Sequence, residues 1–374
     1  MEQPFIDFLR FCLHEDDKLP DSAKDIDWTK LLEFGRKQSI TGVLFHGIKR
    51  LTAKDPHPSP RELAQWGVEN QQIADDNRQV YQDAYRLTSW LYKETGIKGV
   101  VLKGQANALL YPDKFSRMSG DIDLWTTADP VELILWAQKH DPESAIDYHH
   151  VSFEVLPTIA ELHFVPSFMG NLFYEWRLRK YFKEAKDEQF RRIVQLPEGL
   201  GKICVLQPDF DCIFQLTHLM HHFFFEGIGF RQLIDFYYLL SRGFTDKQKA
   251  DILRRIKWLN MSKFTAAVMY IMYDVLGIDK DRLLCEPNEK VGKLFLREVL
   301  KAGNFGFYDE RYSFRGMSVY TQYFLEIYRN LHFALYFPSE TIWGRPVSRW
   351  WHMFYKAWLR HKVSKAKKKY PPLK

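Results

Sequence analysis

Long apolar runs are missing from this chain: none approaches the ~18 residues that a membrane-spanning helix needs, which excludes an integral helical membrane protein. Cysteine is scarce. Cys12, Cys204, Cys212 and Cys285 lie far apart with no CxxC spacing, which speaks against a thiolate metal site or a disulfide framework and for reduced, buried thiols. The first residues, MEQPFIDFLRFCLHEDDK, have no basic stretch ahead of their apolar one, so a signal peptide is not expected and the cytoplasm is the expected location. A net positive charge is also missing from the body. Ten of the 53 Lys and Arg fall between Arg345 and Lys374, leaving 43 basic against 47 acidic residues elsewhere. A chain-wide nucleic-acid footprint is therefore disfavoured.

Aromatic residues are abundant instead, with 29 Phe, 19 Tyr and 11 Trp among 374 residues, enough to fill large helical cores. Residues 1–95 read as helical. The segment WTKLLEFGRKQSITGVLFHGIKRL places Leu31, Leu32, Phe34, Ile40, Val43, Leu44 and Ile48 at roughly helical spacing, and a long polar-faced helix after DPHPSP ends at Gly96. The pattern then changes to strand (IKGVVLKG), helix (QANALLY), strand (GDIDLWT), helix (DPVELILWAQKH) and two alternating strands, YHHVSFEV and TIAELHFVP. The last two are expected to be antiparallel neighbours. From VLQPDFDCIFQLTHLMHHFF onward the pattern is helix after helix, with breaks at Gly227, Gly243 and Gly277. The expected organisation is a helical region (1–95), an α/β core (96–200) and a helical region with a basic tail (201–374).

D-x-D pairs at Asp25/Asp27, Asp121/Asp123 and Asp209/Asp211 raise the question of a metal site. Residues i and i+2 of a strand share a face, so Asp121 and Asp123 should stand side by side with Ile122 and Leu124 facing a core. Two such carboxylates repel, and a hard cation such as Mg²⁺ is the natural remedy. On the same ground, Asn at either position should leave thermal stability unchanged or higher. Gly120 in front of them allows close approach by a backbone or a phosphate. The other pairs sit at helix starts and are expected to be structural, with Asp27 as a cap, Asp25 in the first turn and Asp209 at a capping position.

The sequence VVLKG, followed after a helix by GDIDLW and later by AELHF, resembles the polymerase-beta-like nucleotidyltransferases. The spelling LKG…Y…R-x-x-GDIDLW is similar to the bacterial family of uncharacterised nucleotidyltransferases, and EFGRKQSITGVLFHGI and HLMHHFF…GIGFRQLIDFYYLL look like its flanking helices. The resemblance implies an α+β fold, with a small mixed-sheet core between helical N- and C-terminal lobes. It also implies transfer of a nucleoside monophosphate from an NTP, expected to be ATP, to an acceptor hydroxyl. Asp121, Asp123 and Glu161 would hold Mg²⁺ or Mn²⁺, with Glu161 completing the acceptor-side metal or taking the hydroxyl proton.

The turn Lys103-Gly104-Gln105 would hold phosphate through backbone N–H groups at a helix start, with Lys103 and Arg117 offsetting charge. His163 shares the Glu161 face. The superfamily has Gly-Ser at that turn and often Asp as the third acid, so this chain lacks a phosphate-touching hydroxyl and carries a longer acid. The acceptor is left open among a small molecule, a sugar, a protein side chain and an RNA end, with a long nucleic acid least favoured. Two other functions stay open: a protein AMP transferase of the toxin–antitoxin kind, and a non-catalytic nucleotide-binding protein. His218 and His222 are read as a helix-packing pair and Arg231/Asp235 as an i, i+4 ion pair. The C-terminal basic tail is read as a terminal helix that could also contact an anionic surface.

Overall fold

The computed structural model describes residues 3–309 and 318–369. They form two compact units that alternate along the chain. One takes in Met1–Arg78, Asn107–Ser119 and His222–Ser318, the other Gln79–Ala106, Gly120–His221 and Val319–Lys374. The helices are α1 (Gln3–Leu13), α2 (Trp28–Gln38), α3 (Thr41–Ile48), α4 (Pro60–Thr95), α5 (Gln105–Ala108), α6 (Pro130–His140) and α7 (Leu172–Gln189). They continue with α8 (Pro208–Phe225), α9 (Phe230–Ser241), α10 (Asp246–Trp258), α11 (Ser262–Tyr270), α12 (Glu289–Ala302), α13 (Val319–Asn330) and α14 (Arg345–Lys369). The strands are β1 (Gly99–Val101), β2 (Ile122–Thr126), β3 (His150–Phe153), β4 (Ala160–His163), β5 (Ile193–Gln195) and β6 (Lys202–Cys204). Residues 370–374, the end of the basic tail, lie outside the described residues.

The first unit is helical. Its periodic segment from Trp28 is two helices rather than one, because Ser39 adopts a left-handed conformation (φ 55°) that closes α2. Asp27 caps α2 by accepting from the Lys30 amide at 3.1 Å. Asp25 is not in that first turn but ends the short 3₁₀ segment Asp21–Asp25 ahead of the cap. In α4, Ser59 and Glu62 bond each other's amides reciprocally around Pro60, a capping box that starts the 36-residue helix at the end of the proline-rich break. Gly96 ends it with φ +74°.

One expected pair in this unit is replaced by another. Asp235 does not bond Arg231. Arg117 holds it in a two-pronged bridge, Nε to Oδ1 and Nη2 to Oδ2, both at 2.8 Å, and the Tyr111 hydroxyl donates to Oδ1 at 2.7 Å. Arg231 Nη1 instead donates to the carbonyls of Met118 and Ser119. The planar guanidinium of Arg117 matches both carboxylate oxygens, which a residue one turn away on the same helix does not do as well.

The second unit holds the sheet, with strand order β1-β2-β4-β3. β2 runs antiparallel to β1 and parallel to β4, and β3 and β4 are the expected antiparallel neighbours. The chain is thus an α+β protein with a small mixed sheet. On one face Ile122, Leu124, Val151, Phe153 and Leu162 are fully buried, and Phe153 packs with Trp90 of α4 and Trp136 of α6. Helix α7 and the β5–β6 hairpin have no counterpart in the pattern reading, since strands of three residues are too short for alternation to register. Helix α8 starts at Pro208, so Asp209 and Asp211 fall in its first turn and neither is the cap. Proline at the first helical position moves the cap one residue back. Among the described residues no helix is long and apolar enough to cross a membrane.

Candidate functional site

The pleat of β2 sends Ile122 and Leu124 into the core and Asp123 to the opposite face. The parallel register places Asp123 beside Glu161 and Trp125 beside His163. Antiparallel pairing adds Ser152 beside Glu161 and His150 beside His163. One face of four short strands therefore gathers Asp123, Glu161, His163 and His150. Trp125 closes one end of it, stacked on Phe210 of α8 at 5.7 Å and 9°.

Asp123 is only 2% exposed and has two cationic neighbours. Lys103 Nζ lies 3.2 Å from Oδ2, and His163 Nε2 lies 3.1 Å from Oδ1. His163 Nε2 also reaches Glu161 Oε2 at 3.4 Å, while its Nδ1 faces the Val165 carbonyl at 3.3 Å. Lys103, expected from the sequence to offset phosphate charge, is half-buried with its side chain 16% accessible, and its Nζ is also 3.0 Å from His218 Nε2. Asp121 precedes β2 and is half-buried.

These contacts set the charge states. Burial raises the Asp123 carboxyl, but Lys103 and His163 outweigh it and hold the group below the usual carboxylate range. Burial likewise opposes ionisation of Glu161, yet the hydrogen bond from His163 and the charges of His150 and His163 bring it down to about 2. For His163 burial disfavours the cation, and Asp123 and Glu161 overcome it to reach about 9. Lys103, despite burial, is held above its ordinary value by Asp123, Asp121 and Glu161. The carboxylates are thus balanced in part by the protein's own cations, not by an external ion alone as sequence reasoning had it.

A stability profile follows for chelator-treated protein. The Glu161 contribution is complete above its ordinary value of 4.5 and is lost as pH falls toward about 2. The His163 contribution is complete below its ordinary 6.5 and is lost as pH rises through about 9. Both shifts express the same contact, so together they are worth about 3 kcal/mol at most. The thermal midpoint should be highest between those ordinary values and fall from neutrality to the alkaline side, and His163→Gln should flatten that fall. An identical alkaline decline in the variant would remove His163 as its cause.

The donor set suits a divalent cation. One ligand atom each from Asp123, Glu161 and His163 lie within 4.8 Å of one another. Asp123 Oδ2 is buried and accepts no hydrogen bond, its Lys103 contact being ionic only. Two carboxylates with one imidazole match Mn²⁺ and, through the oxygens, Mg²⁺. Gly104 has φ +61°, and a Cβ there would meet only the Asp121 carbonyl, at 3.6 Å. Gly104 is itself buried, and glycine is the residue its conformation favours.

The remaining expected residues are placed differently. Helix α5 after Gly104 has four residues, and the Ala106 amide is taken by the Lys103 carbonyl at 3.2 Å. A full helix N-terminus is thus not present at the turn. The Gln105 side chain is buried, its Oε1 without a hydrogen-bond partner. Gly120 is exposed. Arg117 belongs to the first unit and its charge is engaged by Asp235.

Sequence reasoning missed His150, whose Nδ1 is 3.5 Å from Glu161 Oε2, and His218. The doubled histidine at the start of YHHVSFEV was the available signal, but its register opposite ELH is a tertiary fact. His218 and His222 diverge in role: His218 meets Lys103, and His222 pairs with Glu226 at 2.9 Å.

A crystal structure of an antigenic nucleotidyltransferase-like protein from Paracoccidioides brasiliensis is similar at 13% identity. The match covers 51% of this chain and 92% of that one, with a TM-score of 0.31. Comparison with curated proteins gives no match. Residues 24–277, more than half of the chain, match the model of a family described as "Uncharacterised nucleotidyltransferase". The GDIDLW strand lies inside that match, and the protein belongs to this uncharacterised nucleotidyltransferase family.

Proposed function

We propose that this protein transfers a nucleoside monophosphate from an NTP, with ATP the expected donor, to an acceptor hydroxyl in a reaction that requires Mg²⁺ or Mn²⁺. The observation that carries the proposal is the register of Asp123, two residues after Asp121, beside Glu161 on adjacent parallel strands. Family membership supports nucleotidyl transfer in general. A divalent cation held by Asp121, Asp123 and Glu161 would neutralise phosphate oxygens and activate the acceptor.

Other groups have roles that follow from their surroundings. Lys103, already beside Asp123, supplies positive charge for a phosphate approaching over Gly104. The Nδ1 contact of His163 with the Val165 carbonyl orients the ring, with Nε2 aimed at both carboxylates. Glu161, held at about 2, is a weak base, and a general base works best with a value near the operating pH. Its place is thus to hold charge rather than to take the acceptor proton.

A second reading, a nucleotide-binding protein without turnover, is favoured by one observation: Lys103 and His163 already compensate Asp123 internally. Both are tested by incubating the full chain with each labelled NTP plus Mg²⁺ or Mn²⁺. Pyrophosphate release supports transfer, and label appearing on the protein itself points to the AMP-transferase variant. Metal-dependent NTP retention without pyrophosphate supports the second reading, and neither retention nor release overturns both.

A further inference from the structure

Beside the carboxylates, three imidazoles converge. The His149 carbonyl accepts from the amides of Phe164 and Val165 at 3.0 and 3.2 Å, which pins the start of β3 against the end of β4. His150 follows opposite His163. His150 Nδ1 lies 3.4 Å from His149 Nε2 and 3.5 Å from Glu161 Oε2, and that oxygen is 3.4 Å from His163 Nε2. One nitrogen from each of the three histidines falls within 4.8 Å of the others. Tetrahedral ligands at a zinc–nitrogen distance of about 2.1 Å are about 3.4 Å apart. The His149–His150 separation is therefore that of neighbouring ligands on one cation.

The surroundings favour ligation over ordinary packing. The Val165 carbonyl facing His163 Nδ1 is the outer contact that typically orients a ligating imidazole. Phe168 packs against His149 at 4.9 Å and against His221 at 4.0 Å, giving the cluster an apolar wall. Imidazole nitrogens suit Zn²⁺, Co²⁺ or Ni²⁺, whereas Mg²⁺ takes oxygen.

We propose that His149, His150 and His163, with Glu161 as an adjoining oxygen donor, form a binding site for a transition-metal dication of the Zn²⁺ and Co²⁺ class. This site is next to, and chemically different from, the carboxylate position. It stands on the histidine geometry and does not depend on nucleotidyl transfer. His163 Nε2 serves one cation at a time, so filling the imidazole site draws His163 away from Asp123.

The test is titration of the chelator-stripped full chain with Co²⁺, read by visible absorption, with Zn²⁺ and excess Mg²⁺ as competitors. One equivalent of Co²⁺ should give ligand-field bands that Zn²⁺ abolishes and Mg²⁺ does not. His149→Ala and His150→Ala should each weaken Co²⁺ binding at least about tenfold, while Asp121→Asn changes it less than about threefold. Far-UV circular dichroism checks folding. If an alanine variant does not fold, His149→Gln and His150→Gln replace it with the same expectation. Absent bands, or affinity unchanged in both histidine variants, overturns the proposal. Loss of NTP turnover in Asp121→Asn with Co²⁺ binding intact separates this site from the transferase reading.

Discussion

Asp123→Asn should lower nucleotidyl transfer at least about 10²-fold, the worth of several kcal/mol of charge stabilisation, and should also lower the thermal midpoint. The second effect is opposite in sign to what the like-charge pair suggests in sequence. Asp123 is nearly inaccessible and faces Lys103 at 3.2 Å and His163 at 3.1 Å. A neutral amide there leaves two cations in a buried setting with a diminished partner, and removing one member of a buried pair costs on the order of 3 kcal/mol. Asp121 is half-buried, so Asp121→Asn should lose activity with the midpoint unchanged. Calorimetric melts and pyrophosphate release on the two variants separate the cases. Equal stability effects, or Asp123→Asn melting at or above the unmodified protein, would show that the internal cations do not stabilise the fold through Asp123. Asp27→Asn is the control, since an amide still caps α2, and it should keep activity within a few-fold.

Glu161→Gln should cut kcat by about 10²-fold while the KM for NTP moves less than about threefold, the signature of an interaction made mainly in the transition state. Glu161 is the more exposed of the two site carboxylates, its side chain 30% accessible against 3% for Asp123, which leaves it open to an acceptor. Its loss also removes one of the two carboxylates that raise His163, so the His163 titration followed by NMR should move down from about 9. A parallel rise in KM would put Glu161 on the nucleotide side. An unchanged kcat would remove it from the chemistry, and an unmoved His163 would contradict the contact itself.

The local parts of this architecture were legible in the chain. Alternation of Ile122 and Leu124 with Asp123, the Asp27 cap and the stop at Gly96 depend on residues within one turn or one pleat of each other, so residue type and spacing determine them. The shared face of Glu161 and His163 followed from period two. That this face meets Asp123 was decided by the parallel pairing of β2 with β4, across 38 residues of chain. Other choices also required the folded chain. Arg117 takes Asp235 across 118 residues where Arg231 lies one turn away, Lys103 turns inward to Asp123 and His218, and His150 lands opposite His163. A side chain with several eligible partners takes the one whose geometry and burial lower the free energy most, and that comparison exists only after distant segments have packed.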